Sequence, residues 1–175
     1  MKRKIDNKRG CSVMKGRYDS NVSERVASFA EDVAGLPESM TAYSKQGGQF
    51  VLENPFDNFP EGGPFILNAS SFVYWAFYQV GYPLNQHVLS IRQLPHSDKL
   101  KEVASIGSNY PIENLLRGDL VFFAQDRHVG IYVGNNEFVS CMGSGENNFS
   151  GGVVKEDITK GIYLNTFEGH VMSVR

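Results

Sequence analysis

A chain of 175 residues can bury one sizeable core and is too short for two large domains. With 41% hydrophobic residues, 21% charged residues and 18 glycines, it has the make-up of a globular, sheet-containing protein, and no apolar run approaches the roughly 18 residues of a membrane span. The net charge of −2 hides an asymmetry: within the first 17 residues Lys2, Arg3, Lys4, Lys8, Arg9, Lys15 and Arg17 stand against Asp6 alone, leaving 10 bases against 18 acids in the rest of the chain.

Residues 1–20 therefore read as a basic flexible arm, and residues 21–175 as a single domain. The arm is either simply solvated or drawn to an anionic polymer. A nucleic acid is a poor candidate for that polymer, because no later segment interleaves basic and aromatic side chains as a binding groove would. No apolar stretch follows the basic residues, so the arm does not read as a secretory signal. Two cysteines, Cys11 and Cys141, are too few for a disulfide framework. His87, His96, His128 and His170 are widely spaced, without metal-ligand spacing, and neither a metal nor another cofactor is expected.

In chain order, 21-NVSERVASFAEDVA-34 sets Val22, Val26, Phe29 and Val33 at helical spacing, with Ser20 or Asn21 as its cap. Gly35 and Pro37 end that helix. A loop rich in Gly, Pro, Asn and aromatics fills 46–64, with room for one short strand, and a loop of that length is often functional. A second helix is predicted over 69–80 and a third, capped by Ser97, over 97–105. From Gly118 the pattern becomes that of strands: 119–124, 128–134, 137–141, 152–156, 161–167 and 170–174. Gly134-Asn135-Asn136 marks a hairpin. Helices first and a meander afterwards predict an α+β domain with its helices packed on an antiparallel sheet.

Three segments carry the chemistry: 68-NASSFVYWAF-77, 117-RGDLVFF-123 and 127-RHVGIYVGNNEFVS-140. Their order and spacing resemble the NlpC/P60 family of papain-like cysteine peptidases, which cleave stem peptides of bacterial cell walls. The family pattern runs D-C-S-G-F-V-x-W-x-F, then P-G-D-L-V-F-F, then H-V-G-I-Y-x-G-x-x-x-F. The resemblance covers residues 65–141. The preceding loop departs from the family's short Y-x-W-G-G approach.

The resemblance implies that the nucleophilic cysteine position falls on Ala69, the general base on His128 and the residue orienting that base on Ser140. A thiol in the first turn of a helix would be acidified by the helix dipole toward the attacking thiolate. A histidine heading a neighbouring strand could take the proton and return it to the leaving amine. A methyl group at residue 69 can do neither. His128 and Ser140 share a sheet face only if the hairpin carries an odd loop or a bulge. That register groups Val129, Ile131, Val139 and Cys141, and turns the Cys141 thiol away from the histidine. The resemblance further implies substrate contacts at Asn68 (an Asp in the family), Ser70, Ser71 and Arg127. The backbone N–H of residue 69 would serve as the oxyanion donor. Gly118-Asp119 is read as a turn in which the Asp bonds locally.

The function so implied is that of a peptidoglycan endopeptidase of the γ-D-glutamyl–diamino-acid type, acting at the cell wall. Its substrate partner is the stem peptide, with an anionic wall polymer for the basic arm. The chain as written would be inactive, through either a deliberate Cys→Ala change or an inherited loss. A non-catalytic wall-binding module and an amidase or deamidase effector on the same fold stay open as alternatives.

Overall fold

The computed structural model describes residues 21–48, 64–84, 90–143 and 151–174. The basic arm and most of the 46–64 loop lie outside the described residues. Helix α1, Val22–Ala34, is capped by the Asn21 side chain, which accepts from Glu24 N, and it ends at Gly35. Strands β1, Thr41–Tyr43, and β2, Phe65–Leu67, pair in parallel as a separate two-stranded sheet. Helix α2, Ala69–Gln79, follows.

The main sheet is built from β3 (Lys101–Ala104), β4 (Leu120–Phe123), β5 (His128–Gly134), β6 (Glu137–Met142), β7 (Gly152–Asp157) and β8 (Phe167–Ser173). Its spatial order is β3-β8-β4-β5-β6-β7, and every pairing is antiparallel. A short helix α3, Gly161–Thr166, lies between β7 and β8.

Both faces of the central strands are covered, which explains why LVFF in β4 is an unbroken apolar run. On one face Leu120, Phe122, Val129, Ile131, Val139 and Cys141 pack under the two long helices, where Trp75 meets Phe29 edge-on at 5.0 Å. Helix α2 is buried on nearly every side, as its apolar composition requires. On the other face Val121, Phe123, Tyr132, Phe138, Ile158 and Val171 form a second cluster.

Two predicted elements change type. The segment 97–105 holds strand β3 rather than a helix, because Lys101 and Glu102 pair with Ser173 and Met172 at the sheet edge. Edge pairing there overrides the local helical pattern. The segment 161–167 is helix α3 rather than a strand. The chain must pass from β7 at one edge to β8 beyond β4, crossing three strands that are already paired. A crossing helix satisfies its own backbone groups where a strand would find no partner.

Candidate active site

The start of α2 is locked by its own side chains. Asn68 Oδ1 accepts from Ser71 N at 2.9 Å and from Ser70 Oγ at 3.1 Å, while Ser71 Oγ accepts from Asn68 N at 2.9 Å. Asn68 Nδ2 donates to Lys45 O at 3.1 Å, tying the cap to the segment after β1. This reciprocal capping box makes Ala69 the first helical residue, with no intrahelical acceptor for its N–H. Ala69 is buried, and its methyl belongs to the helix-side core. The hydroxyls of Ser70 and Ser71 are buried and engaged in or beside this cap.

His128 opens β5 and faces Phe123 across the β4–β5 hairpin. Its Nε2 lies 3.0 Å from Ser140 Oγ. The register that allows this pairs Ile131 with Val139 and Tyr132 with Phe138, then shifts through a bulge before Gly134 meets Glu137. Asn135 and Asn136, both with positive φ (54° and 61°), close the hairpin. Continued toward His128, the register sets Ser140 beside Gly130. A Cβ at Gly130 would lie 2.5 Å from the Phe138 ring, so glycine is what leaves room there for that ring.

The His128 ring is flanked by Phe123 at 6.0 Å and by Tyr163 of α3 at 6.2 Å. Burial among these groups lowers its pKa to about 4, so the imidazole is neutral at pH 7. An Nε2–H donated to Ser140 leaves Nδ1 as a free lone pair, the tautomer a general base needs.

Ala69 and His128 stand at the same end of the molecule. Thr41 Oγ1 accepts from Val153 N at 3.0 Å, and the Tyr43 ring comes within 3.3 Å of where a Gly143 Cβ would lie. Strand β2 runs parallel to β1 with Leu67 beside Tyr43, so α2 begins at the end of the sheet where β5 starts. No side-chain hydrogen bond joins the two residues, because a methyl group cannot make one. Arg127 is exposed in the turn before His128, and its backbone N–H donates to Phe123 O at 3.0 Å.

The remaining candidates have structural places. Asp119 is fully buried and accepts from Leu116 N at 2.9 Å, the local turn bond read from the sequence. Cys141 points into the helix-side core, and burial pushes its thiol up to about 12, which leaves it protonated and unreactive. Among the described residues no group of His, Cys, Asp and Glu is arranged to hold a metal ion. Tyr163 is the residue that sequence reasoning missed. Its hydroxyl donates to the Glu156 carboxylate, and its ring meets Phe138 edge-on at 4.8 Å. Reading 161–167 as a strand gave no reason to place it beside the histidine.

Comparison with known proteins supplies the family and the fold. The family model described as NlpC/P60 family matches residues 58–167, well over half of the chain. The chain belongs to the NlpC/P60 family, whose members are generally cysteine peptidases. A curated relative, the probable endopeptidase NlpC homolog of Haemophilus influenzae, is 43% identical over 47 residues, which is 27% of this chain and 25% of that protein. The chain thus matches only a quarter of that relative's length. Among solved structures, the P60 domain of an antigen from M. avium subspecies paratuberculosis superposes with a TM-score of 0.53 at 19% identity, covering 88% of this chain and 98% of that one. An NLP/P60 family protein from Staphylococcus aureus gives 0.55 at 17% identity over 90% of this chain and 42% of the other. NlpC2 from Trichomonas vaginalis gives 0.53 at 18% identity, over 87% and 46%. At these identities the structures establish the α+β NlpC/P60 fold alone.

Proposed function

We propose that this chain carries the catalytic domain of a peptidoglycan hydrolase, a cysteine endopeptidase of the γ-D-glutamyl–diamino-acid type, with its nucleophile position at residue 69 occupied by alanine. The observation that carries the reading is the His128–Ser140 pair, 3.0 Å apart, at the end of the sheet where the capped helix α2 begins.

With a thiol at residue 69, the positive end of α2 would favour the thiolate and His128 would hold its proton. The thiolate would attack the scissile carbonyl carbon, and the resulting oxyanion would take the N–H of residue 69. Collapse of the tetrahedral adduct breaks the C–N bond as His128 passes its proton to the leaving amine. Water then hydrolyses the thioester, with His128 taking its proton, and the free thiol returns. Ser140 keeps the imidazole turned toward residue 69, and Arg127 offers a charge at the rim for the acidic stem peptide. The cap bonds of Asn68, Ser70 and Ser71 bear on any substrate role for them, since those side-chain atoms already have partners.

The chain as written would bind wall peptide without cutting it, and it would act at the cell wall. His128, Arg127 and the HVGIYVG strand, all in the family's form, favour a recent loss of the thiol over long drift. The decisive experiment restores it. Ala69→Cys, incubated with purified peptidoglycan, should release new amino termini, while the Ala69 chain releases none. If the cysteine variant is folded and cuts nothing between about pH 5 and 9, a range that spans the titration of an imidazole and a thiol, the peptidase reading fails. The second reading, a non-catalytic wall-binding module, is favoured by Ala69 itself. It requires muropeptide binding by the present chain and no gain of hydrolysis with the thiol.

A further inference from the structure

The turn that delivers His128 is held in a conformation that its own residues disfavour. Ala124, Gln125 and Asp126 all have positive φ (52°, 56° and 60°), and none is glycine. In that region an L-residue's Cβ crowds the following carbonyl, and aspartate or asparagine tolerates this better than alanine or glutamine. Such a run persists only where surrounding structure imposes it.

The chain at the start of β8 imposes it at all three positions. Ala124 N–H donates to Thr166 O at 2.8 Å, Gln125 N–H donates to the Glu168 carboxylate at 3.1 Å, and Asp126 Oδ1 accepts from His170 Nδ1 at 2.7 Å. Only the last tie joins two side chains, and its donor is held rigidly. His170 is 4% exposed and its ring stacks on Phe122, with centroids 4.5 Å apart and planes at 25°. On its far side, Glu102 of β3 approaches Nε2 to 3.9 Å, beyond hydrogen-bond reach. His170, which lies outside the three motif segments of the sequence, therefore fixes a residue two positions ahead of His128.

We propose that Asp126 and His170 are a positioning pair for His128, holding the strained 124–126 turn so that the imidazole keeps its place between Ser140 and residue 69. The proposal rests on the reading of His128 as the general base, and two readouts separate its fate from that reading.

The first readout needs no activity. In the chain as written, His170→Asn keeps a side-chain N–H near the position of Nδ1, whereas His170→Gln carries its N–H out toward the position of Nε2. His170→Gln should shift the His128 ring resonances and speed amide exchange at 124–127 by about tenfold or more, as expected for local opening. His170→Asn should leave both near the parent values. Should His170→Gln fail to fold, Asp126→Ala supplies the same loss, and Asp126→Asn, which keeps an acceptor and tolerates positive φ, supplies the rescue. The second readout adds these changes to Ala69→Cys. There the Gln variant should lose about 10- to 100-fold in kcat, the scale of a misplaced catalytic group, with KM unchanged, and the Asn variant should retain activity. If His128 is indifferent to the Gln substitution, or if Asn and Gln are equally harmful, the positioning role is overturned. Absence of cleavage in Ala69→Cys alone would sink the peptidase reading and leave the resonance and exchange results to decide the pair.

Discussion

His128 shows how one side chain can report on its surroundings through stability as well as chemistry. Its folded pKa of about 4 lies below the ordinary value near 6.5, because burial among Phe123, Tyr163 and Ser140 penalises the charged ring. As pH falls, the unfolded chain therefore takes up this proton before the folded one does. The contribution to stability is complete above about pH 6.5 and is lost between there and about pH 4. Because the ring is only half-buried, the expected loss is about 1–2 kcal/mol rather than the full value of the shift. Urea denaturation at pH 7 and pH 4.5 should show this extra loss in the parent chain and not in His128→Gln. Equal losses in the two proteins would mean that burial of His128 does not set the pH dependence.

At the scale of the element, the N-terminus of α2 is the part most exposed to a single change. Asn68 supplies one acceptor to Ser71 N and Ser70 Oγ and one donor to Lys45 O, so Asn68→Ala removes all three bonds. The expected cost is about 1–2 kcal/mol, the range for loss of a good cap. Asn68→Asp should keep the two accepted bonds, add favourable charge at the helix start and remain near the parent stability. Thermal or chemical unfolding of the two variants checks this. A parent-like Asn68→Ala would show that packing of the buried α2, and not its cap, holds residue 69 in place. The two elements whose type changed, β3 and α3, carry the complementary lesson. Both are short, and their conformations answer to β8 and to the crossing over β4–β6 rather than to their own periodicity.

At the scale of the molecule, Arg117 joins the helix layer to the sheet. Its Nε lies 3.0 Å from each Glu24 carboxylate oxygen, one Nη is 2.8 Å from Glu31, and the other donates to Val133 O of β5. These groups are about a third exposed, so the ion pairs are screened, and their value comes from one planar guanidinium serving four acceptors. Arg117→Ala should cost about 1–2 kcal/mol. Arg117→Lys should recover little of it, because an ammonium cannot fork between two helical carboxylates and a carbonyl. The denaturation midpoints of the two variants, in low and high salt, measure the effect. A fully effective lysine would reduce the network to its charge.

The sequence by itself determined the long helices, the central strands and the motif that names the site. Val22, Val26, Phe29 and Val33 have a single helical face to bury, GDLVFF and HVGIYVG have no other stable reading than strands, and Asn135-Asn136 demands a tight turn. It also paired Ser140 with His128 conditionally, through the period of the strand and the need for a bulge. Only the tertiary structure decided the rest. The bulge that sets Ser140 against His128, the burial that keeps the imidazole neutral, the placing of Tyr163 beside it and the tie from His170 to Asp126 all join residues distant in the chain. Contacts of that kind leave no local period, because they depend on which strand lies next to which. The identity of residue 69 was plain from the start, but its meaning came from the capped helix end and the histidine pair that stand with it at one end of the sheet.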